Sequence, residues 1–154
     1  PVATMAWESA HAQARRDNLI AAHYSAGTKL DEVRCATDTK ALGVTKALIG
    51  AGFEKDDFPF ITGKECDVPN VKNIIAGYQS MSVFKDTRTL AEKVVGMVDA
   101  LMQGGEPEIN DTETYDNGTG IIPTYLCEPV FADINNYTEL LIDSGYYTAD
   151  QLAD

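Results

Sequence analysis

Apolar Ala10, Ala14, Leu19, Ile20 and Ala22 recur between polar Gln13, Arg15, Arg16 and Asp17, which predicts a helix over residues 8–23 with Ser9 as its cap. A short run over 30–36, with Val33 and Cys35 on one side, reads as a strand. Asp38 then precedes the stripe Ala41, Leu42, Val44, Ala47, Leu48 and Ile49, a helix closed by Gly50 and Gly52. The unit repeats: a strand over 58–62, a polar turn over 63–67, and a helix opening near Pro69 and reaching Ala76. Residues 81–84 form a third strand. Beyond Asp86, Leu90, Val94, Met97, Val98 and Leu101 follow the i, i+4, i+7, i+8, i+11 spacing of an amphipathic helix that ends at Gly104-Gly105. An acidic stretch over 106–116 follows, and Asn117-Gly118 marks a turn before strand-like 121–126 and 130–131. Asn135 or Asn136 caps a last short helix over 137–143, stopped by Gly145.

Alternating strands and helices predict an α/β fold, because each crossover helix must return the chain to the same end of a parallel sheet covered on both faces. In such three-layer sheets ligands bind beyond the carboxyl ends of the strands. Asp38 and the 63–67 turn fall at those ends. The length, 154 residues, is that of one domain with a single core.

Twelve basic against 24 acidic residues give a formal charge of −12, a sign that repels phosphate backbones and anionic lipid headgroups, so nucleic acid is not an expected partner. Apolar runs fall short of the ~20 residues that a membrane helix requires, and the chain reads as soluble with no export leader. It opens on Pro1-Val2-Ala3-Thr4 without an initiator methionine, as though an upstream piece were absent. Cys35, Cys66 and Cys127 leave at least one thiol unpaired and lack zinc or redox spacing. They read as small buried hydrophobes, with a Cys35–Cys66 disulfide as the alternative if the two end neighbouring strands.

Asp38, at a helix start, is either a cap for backbone N–H groups or an acceptor for vicinal hydroxyls; one oxygen each allows both roles. Lys64 and Glu65 are either a solvated ion pair or ligand groups at the second strand end. Trp7, the single tryptophan, either packs or stacks on the apolar face of a pyranose. His11, near the start of the first helix, is a candidate polar contact, whereas His23 reads as surface; neither has partners at metal spacing. The acidic stretch fails as an EF-hand loop, since placing Gly118 at its sixth position puts Tyr115 and Thr124 where carboxylates are needed. No nucleophile with a base, phosphate loop or dinucleotide fingerprint is found, so neither an enzyme nor a cofactor is expected.

Trp7, Ala12-Gln13-Ala14-Arg15-Arg16-Asp17-Asn18 and Thr37-Asp38-Thr39-Lys40-Ala41-Leu42-Gly43 together resemble the xylose-binding and multiple-monosaccharide-binding proteins of bacterial ABC importers. Ile61-Thr62-Gly63-Lys64-Glu65-Cys66-Asp67 is similar to that family's T-G-Q-D-A-[DE] turn, and Ala76-Gly77-Tyr78-Gln79-Ser80-Met81-Ser82-Val83-Phe84-Lys85 to its A-G-x-Q-x-M-[ST]-V-[YF]-K segment. The chain's end, from Pro123-Thr124-Tyr125-Leu126 through Asp143-Ser144-Gly145-Tyr146-Tyr147 to Gln151-Leu152, resembles the family's carboxy terminus.

The resemblance implies one of the two lobes of a type I periplasmic-binding-protein fold, the carboxy-terminal half of a receptor that closes on a monosaccharide and delivers it to a membrane permease. It implies that Asp38 and Glu65 accept sugar hydroxyls, that Lys85 on a crossover strand donates to sugar oxygens, and that His11 lies near a polar contact. Lys64 stands where the family has Gln, and Glu65 where it has Asp, adding a cation and a methylene to the cleft. Residues 85–110 are expected to cross to the absent amino-terminal lobe, leaving an apolar stripe for that lobe or a second copy to cover. Weak or no monosaccharide binding is expected of this half alone. The resemblance places the protein in the periplasm or on a lipoprotein anchor outside the membrane. The alternative is the effector-binding core of a LacI-like sugar-responsive repressor, which an upstream helix-turn-helix would mark.

Overall fold

The computed structural model describes residues 5–24 and 28–153; Pro1-Val2-Ala3-Thr4 and Gly27 lie outside the described residues. Two units divide the chain, one made of 1–84 and 131–154, the other Lys85–Val130.

In the first unit, helix α1 spans Ser9–Leu19 and passes into a π-helical turn, Ile20–Tyr24. Glu8, not Ser9, occupies the cap position, with no side-chain bond, and Ser9 is the first helical residue. Strand β1 is Glu32–Val33, shorter than the run 30–36. The reason is local: Thr62 Oγ1 accepts the Cys35 N–H at 2.9 Å and donates to the Cys35 carbonyl at 3.3 Å, so a side chain replaces the backbone ladder there. Helix α2, Asp38–Gly50, has Thr37 at its cap position with no side-chain bond, and Asp38 is its first residue. Strand β2, Phe60–Ile61, begins after Pro59, which has no N–H to give a ladder. Helix α3, Val68–Ala76, carries Pro69 in its first turn and ends at Gly77, whose φ of 84° closes the helix in the left-handed region. Strand β3 is Met81–Phe84, as predicted.

β1 and β2 pair in parallel, Glu32 opposite Phe60 and Val33 opposite Ile61. Beyond β2 the chain runs alongside β3: Ser80 N–H donates to the Ile61 carbonyl at 3.0 Å, Val83 N–H to Gly63 at 3.0 Å, and Lys64 bridges Val83 in parallel. β3 in turn pairs with β4, Val130–Asp133. Residues 137–143 form a π-helical turn, Thr138–Asp143, instead of an Asn-capped α-helix, because Asn136 ties the preceding bend: its Oδ1 accepts Asp133 N–H at 2.8 Å and its Nδ2 donates to Phe131 at 3.0 Å. Helix α5, Ala149–Leu152, was not foreseen; Thr148 and Gln151 cap it reciprocally.

Among the described residues the core has two clusters. Val33, Ala41, Val44, Leu48 and Ile61 fill the space between β1, β2 and α2. Cys66, Val71, Phe84, Leu141 and Leu152 join α3, β3 and the carboxy-terminal turns. Gly43 lets α1 approach α2, since a Cβ there would sit 2.2 Å from the Ser9 carbonyl oxygen.

In the second unit, α4 runs Thr87–Met102, capped by Asp86, whose carboxylate accepts Arg88 N–H at 2.9 Å. None of its residues is buried, and Leu90, Val94, Val98 and Leu101 are all at least half exposed. Lys93 pairs with Glu108 at 2.7 Å and lies over the Tyr125 ring. Residues 121–126 form only isolated antiparallel bridges, Asp111 with Thr124 and Asp116 with Ile121. Pro123 cannot donate to a continuous ladder there.

Candidate functional site

At the carboxyl ends of β1 and β2 the chain makes two turns that are bonded to each other. Asp38 N–H donates to the Lys64 carbonyl at 3.0 Å, which brings the start of α2 against the 63–67 turn. The Asp38 side chain then reaches beneath that turn. Its Oδ2 accepts Asp67 N–H at 2.9 Å, and its Oδ1 accepts the Ser82 hydroxyl at 2.8 Å and Gln79 Nε2 at 3.2 Å. Asn70 Nδ2 bonds the Asp38 carbonyl at 2.9 Å and Gln79 Oε1 at 2.7 Å. Asp38, Ser82, Gln79 and Asn70 are all buried, Asp38 with no exposed surface.

Direct hydroxyl acceptance by Asp38 therefore gives way to a different role. Both carboxylate oxygens are engaged by the lobe's own donors, and a group without accessible surface cannot touch a ligand in a cleft. Burial raises its pKa, a push only partly offset by the bonds from Ser82, Asp67 and Gln79.

The turn above it is conformationally unusual. Glu65 has φ 111° and Cys66 φ 56°, two successive non-glycine residues in the region that favours glycine. Gly63 must stay bare for another reason: a Cβ there would come within 1.9 Å of Asp38 Oδ1. Lys64 and Glu65 are half-buried neighbours of this turn, with no ion pair between them among the described residues. Thr37, the residue before Asp38, is 7% exposed, and its hydroxyl oxygen is buried without a partner within the described chain.

Among the described residues, Trp7, His11 and Lys85 make no hydrogen bond to this cluster. Trp7 is 56% exposed, and Lys40 Nζ sits 3.4 Å from its ring centroid, a cation–π contact that occupies one face. His11 Nδ1 donates to the Met5 carbonyl at 3.1 Å and lines a hollow of about 280 Å³ with Met5, Ala14, Arg15 and Asn18, none of them from the strand-end turns. Lys85 is exposed and opens the second unit directly after β3. A hollow of about 580 Å³ is walled by residues such as Leu30, Phe53 and Phe58, which precede β1 and β2 or follow α2. It lies at the amino ends of the strands, away from the Glu65 turn.

The three thiols are free, and Cys35 and Cys66 are not joined. Burial pushes Cys66 up to about 12 and Cys35 up to about 11, so both remain protonated at neutral pH.

Sequence reasoning missed Thr37, Ser82, Gln79 and Asn70. A signal existed for Ser82: with period-2 alternation it shares the inward face of β3 with Phe84, and a hydroxyl on a core face requires a partner.

The family model described as periplasmic binding protein domain matches residues 1–106. The multiple sugar-binding periplasmic receptor ChvE of Rhizobium radiobacter is 46% identical over 153 residues, covering 98% of this chain and 43% of its own length. A crystal structure of an ABC transporter solute binding protein from Clostridium phytofermentans with bound beta-D-glucose superposes with a TM-score of 0.91 at 60% identity, covering 99% of this chain and 46% of the other. A carbohydrate transporter solute binding protein from Chloroflexus aurantiacus in complex with D-glucose gives 0.85 at 31% identity, covering 96% and 42%. The chain thus spans less than half the length of the relatives it matches.

Proposed function

Because the chain belongs to the periplasmic binding protein family and has its type I fold, we propose that it is the carboxy-terminal half of a monosaccharide receptor serving an ABC importer. Binding, with no bond broken, is the whole of the chemistry assigned to it. The observation that carries this reading is the Glu65 turn: a carboxylate at the end of a parallel strand, held in a strained conformation, beside the unpartnered Thr37 hydroxyl. Strain retained at a strand end is characteristic of ligand sites, and a carboxylate bonds vicinal hydroxyls more strongly than a neutral acceptor does. Glu65 accepts from the sugar, the Thr37 hydroxyl, buried in the ligand-free chain, turns outward to meet it, and Trp7 offers its uncovered face to the pyranose. Lys64, Lys85 and His11 stand as secondary polar contacts. ChvE is a sugar-binding periplasmic receptor and the two glucose-bound proteins are transporter solute binding proteins by description, which favours the importer over a sugar-responsive repressor.

The working location is the periplasm or the outer face of a membrane, with a permease as the partner. Residues 85–110, whose α4 buries nothing, pack on the remainder of a two-lobe protein or on a second copy. The fraction of the relatives' length that the chain spans supports the first. Amide NMR titration with D-glucose, D-xylose, D-galactose and arabinose tests the site. Shifts centred on residues 37 and 64–67, with affinity weaker than micromolar, are expected of one wall of a cleft. Micromolar or tighter affinity overturns the need for a second wall. No shift at those residues in roughly 100 mM sugar overturns the site itself.

A further inference from the structure

We infer that Tyr147 is a positioning residue for Glu65, acting through the Cys66 carbonyl; the inference rests on the reading of Glu65 as a sugar contact. Two adjacent residues at φ 111° and 56° relax to ordinary backbone unless the peptide planes around them are fixed. The plane between Lys64 and Glu65 is held at both ends, its carbonyl by Asp38 N–H at 3.0 Å and its N–H by the Val83 carbonyl at 2.8 Å. Next, Cys66 N–H donates to Ser82 Oγ at 3.1 Å. The plane between Cys66 and Asp67 is again held at both ends: Asp67 N–H donates to Asp38 Oδ2 at 2.9 Å, and the Tyr147 hydroxyl donates to the Cys66 carbonyl at 3.0 Å. Tyr147 is the one contributor that comes from outside the strand-end elements, 81 positions along the chain.

The phenol is itself well placed to act as a fixed post. The Tyr147 backbone N–H donates to the Leu141 carbonyl at 2.7 Å, and its ring meets Tyr146 edge-on at 4.9 Å. Tyr146 in turn meets Phe84 at 4.8 Å, which ties the post to β3, the strand that supplies Ser82 and Val83. The carboxy-terminal segment therefore belongs to the binding apparatus: it sets where the Glu65 carboxylate points without touching the ligand.

Tyr147→Phe removes one oxygen and keeps the ring packing. Amide hydrogen exchange of Cys66 and Asp67 in the ligand-free chain is expected to accelerate roughly threefold to tenfold, with exchange at Val71 and Leu141 unchanged. The D-glucose midpoint read at Glu65 is expected to weaken by a similar factor. Unchanged protection at Cys66 and Asp67 overturns the inference, as does an equal loss of protection across Val71 and Leu141, which marks a purely structural role. An unmoved glucose midpoint alongside accelerated exchange also overturns it. If glucose leaves Glu65 of the unsubstituted chain unmoved, the sugar reading fails on its own, and the exchange measurement still decides whether Tyr147 holds the turn.

Discussion

The Ser82 hydroxyl donates to Asp38 Oδ1 at 2.8 Å, a bond between two side chains that have no exposed surface and lie 44 positions apart. Because Ser82 Oγ also accepts Cys66 N–H, one hydroxyl links the start of α2, the Glu65 turn and β3. A buried carboxylate in this setting has the energetics of a keystone: each donor aimed at it is left unsatisfied if it goes.

Asp38→Ala leaves Asp67 N–H and the Ser82 hydroxyl without their acceptor, and the Gln79 amide nitrogen with only the Met81 carbonyl at 3.2 Å. A loss of about 3 kcal/mol or more is expected, since each abandoned buried group costs about 1–3 kcal/mol. Urea unfolding monitored by circular dichroism checks it, and a loss below about 1 kcal/mol would contradict the hub.

The pH dependence of that same carboxyl has a defined sign. Its folded pKa is raised above 3.8, so the folded state holds the proton more tightly than the unfolded state. Its contribution is fully present below 3.8 and declines as pH rises through the raised value. Asp38→Asn, which cannot titrate, isolates this: the stability advantage of the native chain over the variant should shrink from acid toward neutrality. A widening gap would show that the bonds from Ser82, Asp67 and Gln79 outweigh burial.

Gly63→Ala drives a methyl into Asp38 Oδ1 and the Gln79 amide, at 1.9 and 2.5 Å. Overpacking of that kind costs typically about 1–3 kcal/mol, and here it also splits the hydrogen-bond network. Thermal unfolding should show the drop, together with altered amide shifts at Asp67 and Ser82. Shifts confined to residue 63 would mean that the turn yields without disturbing the hub.

A pair of glycines separates close packing from helix propensity. Gly43→Ala meets the Ser9 carbonyl at 2.2 Å and should push α1 from α2 at a cost of about 2 kcal/mol. Gly50→Ala, at the last position of α2 with nothing within 4 Å, should stabilise by about 0.5 kcal/mol. Paired melting curves decide the matter, and equal effects at the two sites would remove the packing argument.

The exposed row of α4 should drive self-association of the isolated chain. Leaving Leu90, Val94, Val98 and Leu101 in water forgoes about 1.5–3 kcal/mol for each large side chain relative to full burial. Sedimentation should show concentration-dependent dimers that Val94→Lys with Val98→Lys abolishes. A chain that stays monomeric throughout would show that the stripe tolerates solvent without a partner.

By itself the sequence determined the order of elements and most of their centres. α2, α3, β3 and α4 follow from apolar spacing, from Pro69 and Asp86 near helix starts, and from Gly50 and Gly104-Gly105 at helix ends, all of which act within a few residues. Where a strand was cut short or a helix recast, at Cys35 and at Asn136, a side chain had taken over a backbone group's partner. Asp38 was legible as a residue that matters, and its neighbourhood to Glu65 followed from the parallel strand ends. Its inward direction did not follow, because Asp67, Gln79 and Ser82 reach it from 29, 41 and 44 positions away. Only the tertiary structure decided that Asp38 supports the turn from below, and that Glu65 and Cys66 adopt glycine-like backbone held by a tyrosine from the chain's end. Local propensity opposes such a conformation, so only long-range hydrogen bonds, absent from any short window of sequence, can stabilise it.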